Sequence, residues 1–227
     1  MFLLFVMNTL NDIPAVSGRE KDVKKFGDDS FWRDRYSLAA GGAQTFEWFV
    51  SLADAMEQSP TLKSIFQSRL SSGKCRILEV GCGTSSVCEC LWDMGFRDLT
   101  GLDNQPDVVA FCDKRQKERK IRYVVGDMTK LPFEDGTFDV LIDKGALDVL
   151  VCRGGDDLTK TGKEIWRVLK PSPTSVLVCL TNSPLTEIPD GLQTWFDRSH
   201  MQLIKNNALG QFMAKLYLFG RKKKPLK

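Results

Sequence analysis

The sequence predicts an α/β protein built on a doubly wound, mostly parallel β-sheet. Short apolar runs at residues 77–80, 99–103 and 121–127 each carry an acidic residue at or near the carboxyl end. The first run has the continuous apolar character of a strand that is buried on both faces, as in a parallel sheet. Helical patterns follow the first two runs and provide the crossovers that parallel strands need. A length of 227 residues suits one domain with a full core.

The N-terminal part of the chain is expected to precede and then cover the sheet. Residues 1–27 are predicted to be a flexible lead-in, because their second half is rich in charge. Residues 28–227 are predicted to form the single domain, which includes N-terminal helices within residues 28–72. Aromatic and apolar residues recur at helical spacing from residue 28, and further helices are predicted over 45–58 and 61–70.

The rest of the chain continues the alternation of helices and strands. The predicted helices cover residues 86–95, 104–117 and 156–169. The predicted strands after the first three cover residues 138–143, 175–180, 195–206 and 212–221.

A glycine turn after the first strand predicts a nucleotide-binding loop. Gly81 and Gly83 allow a sharp turn and a close approach of the backbone to a ligand, and a helix begins directly afterwards. The loop lacks a third glycine, and no lysine follows that could hold phosphates. Glu79 would repel a pyrophosphate but suits a ligand with an ammonium group, which describes S-adenosylmethionine. The alternative is an ordinary strand-to-helix turn of another α/β protein.

Two later strands end in carboxylates that suit the same ligand. Asp103 lies 22 positions after Gly81, where doubly wound folds hold ribose hydroxyls. Asp127 ends the third strand and could accept a hydrogen bond from an adenine amino group. Met128 offers an apolar face for the ring.

These motifs together resemble the class I, seven-β-strand S-adenosylmethionine-dependent methyltransferases. The resemblance is carried by residues 79–83, 102–103, 126–128 and 138–143, in the usual order and spacing. Residues 143–148, together with 32–36 and 46–49, resemble the methyltransferase-like group that modifies protein lysines. That group includes enzymes that act on translation elongation factor 1-alpha and the citrate synthase lysine methyltransferase. Residues 81–86 and 153–155 lean toward the citrate synthase enzyme.

The resemblance implies a Rossmann-like, seven-stranded sheet with an antiparallel C-terminal hairpin and with N-terminal lid helices over the cofactor, S-adenosylmethionine. It implies that the following residues bind this cofactor: Trp32, Tyr36, Trp48, Glu79, Gly81, Gly83, Asp103, Asn104, Asp127, Met128 and Lys144. For the three aromatic residues, the alternative is packing on the sheet. For Lys144, the alternative is an exposed ion pair with Asp148, four positions later.

The function that follows is a protein-lysine N-methyltransferase with a protein substrate such as elongation factor 1-alpha or citrate synthase. Asp143, at the carboxyl end of the fourth strand, is expected to orient the target lysine, and Asp148 is the alternative. A small-molecule methyltransferase is one other possibility, although the connection over residues 181–192 is short for such an enzyme. A catalytically silent, cofactor-binding scaffold is another, although the cofactor motifs are complete.

Composition excludes several other classes. The net charge of +3 is too small to indicate nucleic acid, and the apolar residues 2–7 are too few to span a membrane. No metal is expected, because Cys82, Cys88 and Cys90 lack zinc-site spacing and the single histidine lies far away. Seven cysteines indicate a reducing compartment. A cytoplasmic monomer is therefore expected; a mitochondrial location is the alternative, without a clear presequence.

Overall fold

The central feature of the molecule is a seven-stranded mixed sheet. The computed structural model describes residues 25–40, 46–183, 187–205 and 213–225. The strands are β1 (Arg76–Val80), β2 (Asp98–Asp103), β3 (Arg122–Val125), β4 (Val140–Lys144), β5 (Val176–Thr181), β6 (Phe196–Lys205) and β7 (Met213–Arg221). Their order in the sheet is β3-β2-β1-β4-β5-β7-β6. The first five are parallel, and β7 is antiparallel to both of its neighbours. The predicted fold class is confirmed.

Helices cover both faces of this sheet. They are α1 (Asp29–Ala40), α2 (Leu52–Gln58), α3 (Pro60–Ser72), α4 (Val87–Asp93), α5 (Pro106–Arg115), α6 (Ala146–Arg153), α7 (Asp157–Val168) and α8 (Glu187–Leu192). Alternate residues of the buried strands enter two separate cores, so Ile77 packs with Phe66 and Leu91 on one face. Leu78 packs with Leu141 on the other face. Burial on both faces explains the continuous apolar runs of the sequence.

One helical prediction needs correction. The helix predicted over residues 45–58 begins only at Leu52, because Ser51 caps it: its side chain accepts a hydrogen bond from the Asp54 amide at 3.1 Å. The preceding residues 46–51 run irregularly, and Phe49 has a φ of +63°. Helix α8 lies in a segment for which no helix was predicted.

The end of the predicted lead-in packs on the domain. Residues 1–24 lie outside the described residues, so the prediction for them stays untested. Phe26 is buried and its ring contacts Phe31 and Trp32. Residues 25–27 are therefore part of the packed structure.

The strand order creates a crevice at one edge of the sheet. The chain passes from β1 to β2 in one direction and reaches β4 on the other side of β1. Open α/β sheets bind ligands at such a switch point, outside the carboxyl ends of the strands. In the described part of the chain, no helix could cross a membrane, and no cluster of residues could hold a metal ion. All seven cysteines are free thiols.

Candidate active site

A cleft of about 440 Å³ opens at this switch point. Of the residues predicted to bind the cofactor, all except Glu79 line it. Asp148, Asn182 and Ser183 line it from the side of β4 and β5, and Asp143 does not line it.

The glycine loop forms the floor of the cleft in a conformation that excludes side chains. Gly81 and Gly83 have φ angles of +57° and +50°. A Cβ on Gly81 would lie 2.3 Å from the Cβ of Ala146, and one on Gly83 would lie 2.6 Å from the Tyr36 hydroxyl. Both positions therefore require glycine for steric as well as conformational reasons.

Asp103 lies beside this loop with its carboxylate inside the cleft. Its Oδ2 accepts a hydrogen bond from the Gly83 amide at 2.8 Å, and its Oδ1 accepts one from the Gln105 amide at 3.0 Å. Burial raises the pKa of Asp103, and these hydrogen bonds oppose that effect. A carboxylate oxygen has two lone pairs, so both oxygens can also accept from the hydroxyls of a ribose.

The other predicted ribose and adenine contacts lie at the rim. Asn104 and Asp127 are exposed, and Met128 is half-buried. The Asn104 amide donates to Asp29 at 3.4 Å, and Asp127 accepts a hydrogen bond from the Thr129 amide at 2.8 Å.

Glu79 lies beneath the loop and not in the cleft, which corrects its predicted direct contact with the ligand. Side chains alternate along a strand, so Glu79 shares the face of Ile77 and points at the start of α4. It accepts hydrogen bonds from the Ser85 hydroxyl at 2.6 Å and from the Cys88 thiol at 3.3 Å. Burial raises the pKa of Glu79 to about 7. Because Ser85 lines the cleft, the hydrogen bond from Ser85 links Glu79 to the site.

Three aromatic side chains, Trp32, Tyr36 and Trp48, form an aromatic wall on the N-terminal side of the cleft. The rings of Trp32 and Tyr36 stack with centroids 5.9 Å apart, and Trp48 meets Trp32 edge-on at 5.7 Å. The Trp32 indole N–H donates to the Phe26 carbonyl at 2.8 Å. The wall therefore both packs against the domain and borders the cleft.

Lys144 makes a buried ion pair that the sequence did not indicate. Its Nζ lies 2.8 Å from Glu47 Oε2 and donates to the Trp48 carbonyl at 3.2 Å. Glu47 Oε1 accepts hydrogen bonds from the amide, at 2.6 Å, and the hydroxyl of Ser86. The alternative of an exposed ion pair with Asp148 is therefore wrong. The sequence did not indicate that Glu47 is the counter-ion of Lys144, because the partners of Glu47 lie far away along the chain.

Asp143 does not face the cleft, so its predicted contact with the substrate is wrong. Its side chain is completely buried. Oδ1 accepts a hydrogen bond from the Leu147 amide at 2.9 Å, and Oδ2 accepts one from the Cys179 thiol at 3.0 Å. Burial, together with the nearby Asp148, raises the pKa of Asp143 to about 7. Asp143 thus holds the first turn of α6 against the sheet.

Asp148 is the carboxylate that lines the cleft on the side of β5. Its Oδ1 accepts hydrogen bonds from the Thr181 hydroxyl at 2.8 Å, the Asn182 amide at 3.2 Å and both the amide and the hydroxyl of Ser183 at 2.6 Å. Burial raises the pKa of Asp148, and these hydrogen bonds oppose that effect. From the other side, Lys215 Nζ donates to the carbonyls of Asn182 and Ser183 at 3.2 and 2.5 Å.

Comparison with known proteins finds similarity to methyltransferases. Residues 78–177 match the family described as "Methyltransferase domain". The chain is 30% identical over 151 residues to the "eEF1A lysine and N-terminal methyltransferase" of Bos taurus, a match that covers 66% of this chain and 20% of the relative. It is 33% identical over 125 residues to "EEF1A lysine methyltransferase 4" of Mus musculus, covering 53% of this chain and 44% of the relative. Each match thus spans less than half the length of the relative.

Solved structures share the fold. An S-adenosylmethionine-dependent methyltransferase from Mesorhizobium loti has a TM-score of 0.56 and 15% identity, and the alignment covers 73% of this chain and 100% of that chain. A TehB-like S-adenosylmethionine-dependent methyltransferase from Corynebacterium glutamicum has a TM-score of 0.54 and 17% identity, with 86% and 97% covered. At these identities the likeness concerns the fold alone.

The cleft itself fits S-adenosylmethionine. The loop at Gly81 admits backbone-close contact and no Cβ, and a buried carboxylate at Asp103 is available to ribose hydroxyls. The lysine that lines the cleft, Lys144, is paired with Glu47. The matched domain, the shared fold and the fit of this cleft together support a class I S-adenosylmethionine-dependent methyltransferase.

Proposed function

We propose that this protein transfers methyl groups from S-adenosylmethionine to a lysine of a protein substrate, with elongation factor 1-alpha as the first candidate. The observation that carries the proposal is that one continuous cleft contains both a cofactor half, at Gly81 and Asp103, and a second polar group, at Asp148, beside β5. The names of the relatives, which refer to lysines of elongation factor 1-alpha, support the choice of substrate.

The cofactor, when bound, supplies a methyl group that is activated by its attachment to a sulfonium. The remaining work of the protein is to bind, align and exclude water. Asp103 would hold the ribose, and the loop at Gly81 and Gly83 would admit the methionine part. The aromatic wall offers ring faces, which attract a cation such as a sulfonium.

The acceptor lysine must reach the methyl group as a neutral amine. A free lysine has a pKa of about 10.4 and carries no lone pair when protonated. Transfer from water into a partly apolar cleft favours the neutral form, since burial disfavours charge. Val149 and Leu150 of α6 line the cleft near Asp148 and supply such surroundings.

In the test, the purified protein and labelled S-adenosylmethionine are incubated in two parallel reactions. One contains purified elongation factor 1-alpha, and the other contains a cell extract. We expect label in the protein fraction, on lysine by peptide mass mapping. At a limiting cofactor concentration, we expect much less label with the Asp103→Ala variant. Label confined to small molecules would identify a small-molecule methyltransferase instead. Cofactor binding without any transfer would identify a scaffold, and label on an α-amine would refute the lysine assignment.

A further inference from the structure

Among the residues that the structure describes, one carboxylate oxygen of the cleft lining accepts no hydrogen bond. Asp148 Oδ2 is buried and accepts no hydrogen bond from any residue that the structure describes. Such an oxygen is uncommon in folded proteins and calls for a ligand or another explanation. Asp148 belongs to the lining of the cleft and not to the core, so a ligand that is bound in the cleft best accounts for this oxygen.

The other carboxylates that line the cleft are engaged or lie elsewhere. Asp29 forms an ion pair with Arg153 at 2.5 Å, and Asp103 accepts two backbone amides on the cofactor side. Asp127 is exposed at the end of β3. Among the described residues, Asp148 is therefore the cleft carboxylate that contacts the end of β5 and keeps an oxygen available.

The direction of this oxygen is fixed by its surroundings. Four donors from residues 181–183 converge on Oδ1. Lys215 holds the carbonyls of the same segment from the opposite side, and Asp148 itself lies in the first turn of α6. A side chain anchored through one oxygen presents the other in a constant direction, which is what a positioned catalytic group requires.

We propose that Asp148 is a catalytic residue whose Oδ2 accepts a hydrogen bond from the methyl-accepting amine. This inference rests on the proposed amine methylation. The nitrogen lone pair forms the new N–C bond while the bond between the methyl carbon and sulfur breaks. The electron pair of the broken C–S bond stays on sulfur and gives a neutral thioether. The amine becomes a methylammonium beside the Asp148 carboxylate, and its extra proton then leaves to water.

The decisive variant is Asp148→Asn. The Asn carbonyl would occupy the place of Oδ1, since the four donors there demand an acceptor, and the amide NH₂ would replace Oδ2. The variant keeps the anchoring hydrogen bonds but presents a donor to an amine that is itself a donor. We expect the turnover number to fall by about 10²-fold or more. S-adenosylmethionine affinity by calorimetry and the thermal midpoint should stay close to wild type.

A matched control is Asp143→Asn, which makes the same chemical change five positions earlier, in a side chain that does not line the cleft. Turnover should stay near wild type in this variant. Loss of turnover in Asp143→Asn but not in Asp148→Asn would overturn the proposal. If Asp148→Asn lowers cofactor affinity or the thermal midpoint as much as it lowers turnover, Asp148 is structural and the proposal also fails.

A second readout needs no turnover, so it is independent of the proposed protein substrate. n-Butylamine, which reproduces the end of a lysine side chain, is titrated into the complex with S-adenosylhomocysteine and followed by NMR. We expect saturable binding to the wild type and at least tenfold weaker binding to Asp148→Asn. Equal binding to both proteins would refute the contact, whatever the result of the labelling experiment.

Discussion

Replacing Asp143 with Asn is expected to stabilise the protein at neutral pH and to flatten the pH dependence of its stability. The pKa of Asp143 is about 7 in the folded protein, raised by burial and by the nearby Asp148, against an ordinary value of 3.8. Between these two values the folded state holds a proton that the unfolded state has released. The free energy of unfolding therefore falls as the pH rises through this window. The contribution is complete below about pH 4 and lost above about pH 7.

The size of the effect follows from the two pKa values. At about 1.4 kcal/mol for each pH unit, their separation corresponds to a loss of up to about 4 kcal/mol. Asn does not titrate, so the variant lacks this loss. The Asn carbonyl can still accept a hydrogen bond from the Leu147 amide. Its NH₂ group can donate to the sulfur of Cys179, which is able to accept a weak hydrogen bond. We expect a partial recovery of about 2 to 3 kcal/mol at pH 8, since burial of a neutral amide has its own cost.

The assay is urea unfolding followed by circular dichroism at pH 5, 6, 7 and 8. Glu79 remains in both proteins, so its similar pH dependence cancels in the difference between them. The control is Asp197→Asn, at an aspartate whose side chain is 75% exposed; it should give the wild-type profile. Parallel profiles for wild type and Asp143→Asn would refute the reasoning.

Three further predictions concern the cleft. Asp103→Ala should weaken S-adenosylmethionine by roughly 2 to 3 kcal/mol in calorimetry, the loss expected for charge-assisted hydrogen bonds; an unchanged affinity in a folded variant would contradict its role. Tryptophan fluorescence should change on cofactor binding, and Trp48→Ala should impair binding more than it lowers the thermal midpoint. The opposite result would leave only the packing role. Lys144→Met should destabilise the protein by about 2 to 4 kcal/mol, because Glu47 loses the cation with which it forms a buried ion pair. Glu47→Gln added to that variant should restore part of the loss, and strict additivity would show that the pair is not coupled.

The strands and the glycine loop could be predicted because their signals are local. Continuous apolar runs mark buried strands, and glycines at residues 81 and 83 mark a turn that no other residue can adopt without strain. Asp103 follows at a spacing set by one helix and one strand. These features depend on the sequence within a few residues, so the predicted cofactor side of the cleft largely matches the structure.

The acceptor side could not be predicted in the same way. All five residues of β4 are buried, so polarity does not reveal which face Asp143 occupies. The start of α6, and with it the inward direction of Asp148, depends on a turn at Gly145 with a φ of +88°. In residues 46–51 the aromatic spacing fits a helix, but packing of Trp48 and Phe49 overrides that local preference.

Glu47 explains why the site extends beyond the segment that matches the methyltransferase domain. Its carboxylate joins Ser86 at the start of α4 to Lys144 at the end of β4. The Lys144 side chain is only 2% exposed, and its ion pair with Glu47 offsets part of the cost of burying its charge. The segment that carries Trp48 is thus held by the same contacts that link the start of α4 to the end of β4. Residues 46–51 are consequently an integral wall of the site, and residues 78–177 alone would lack them.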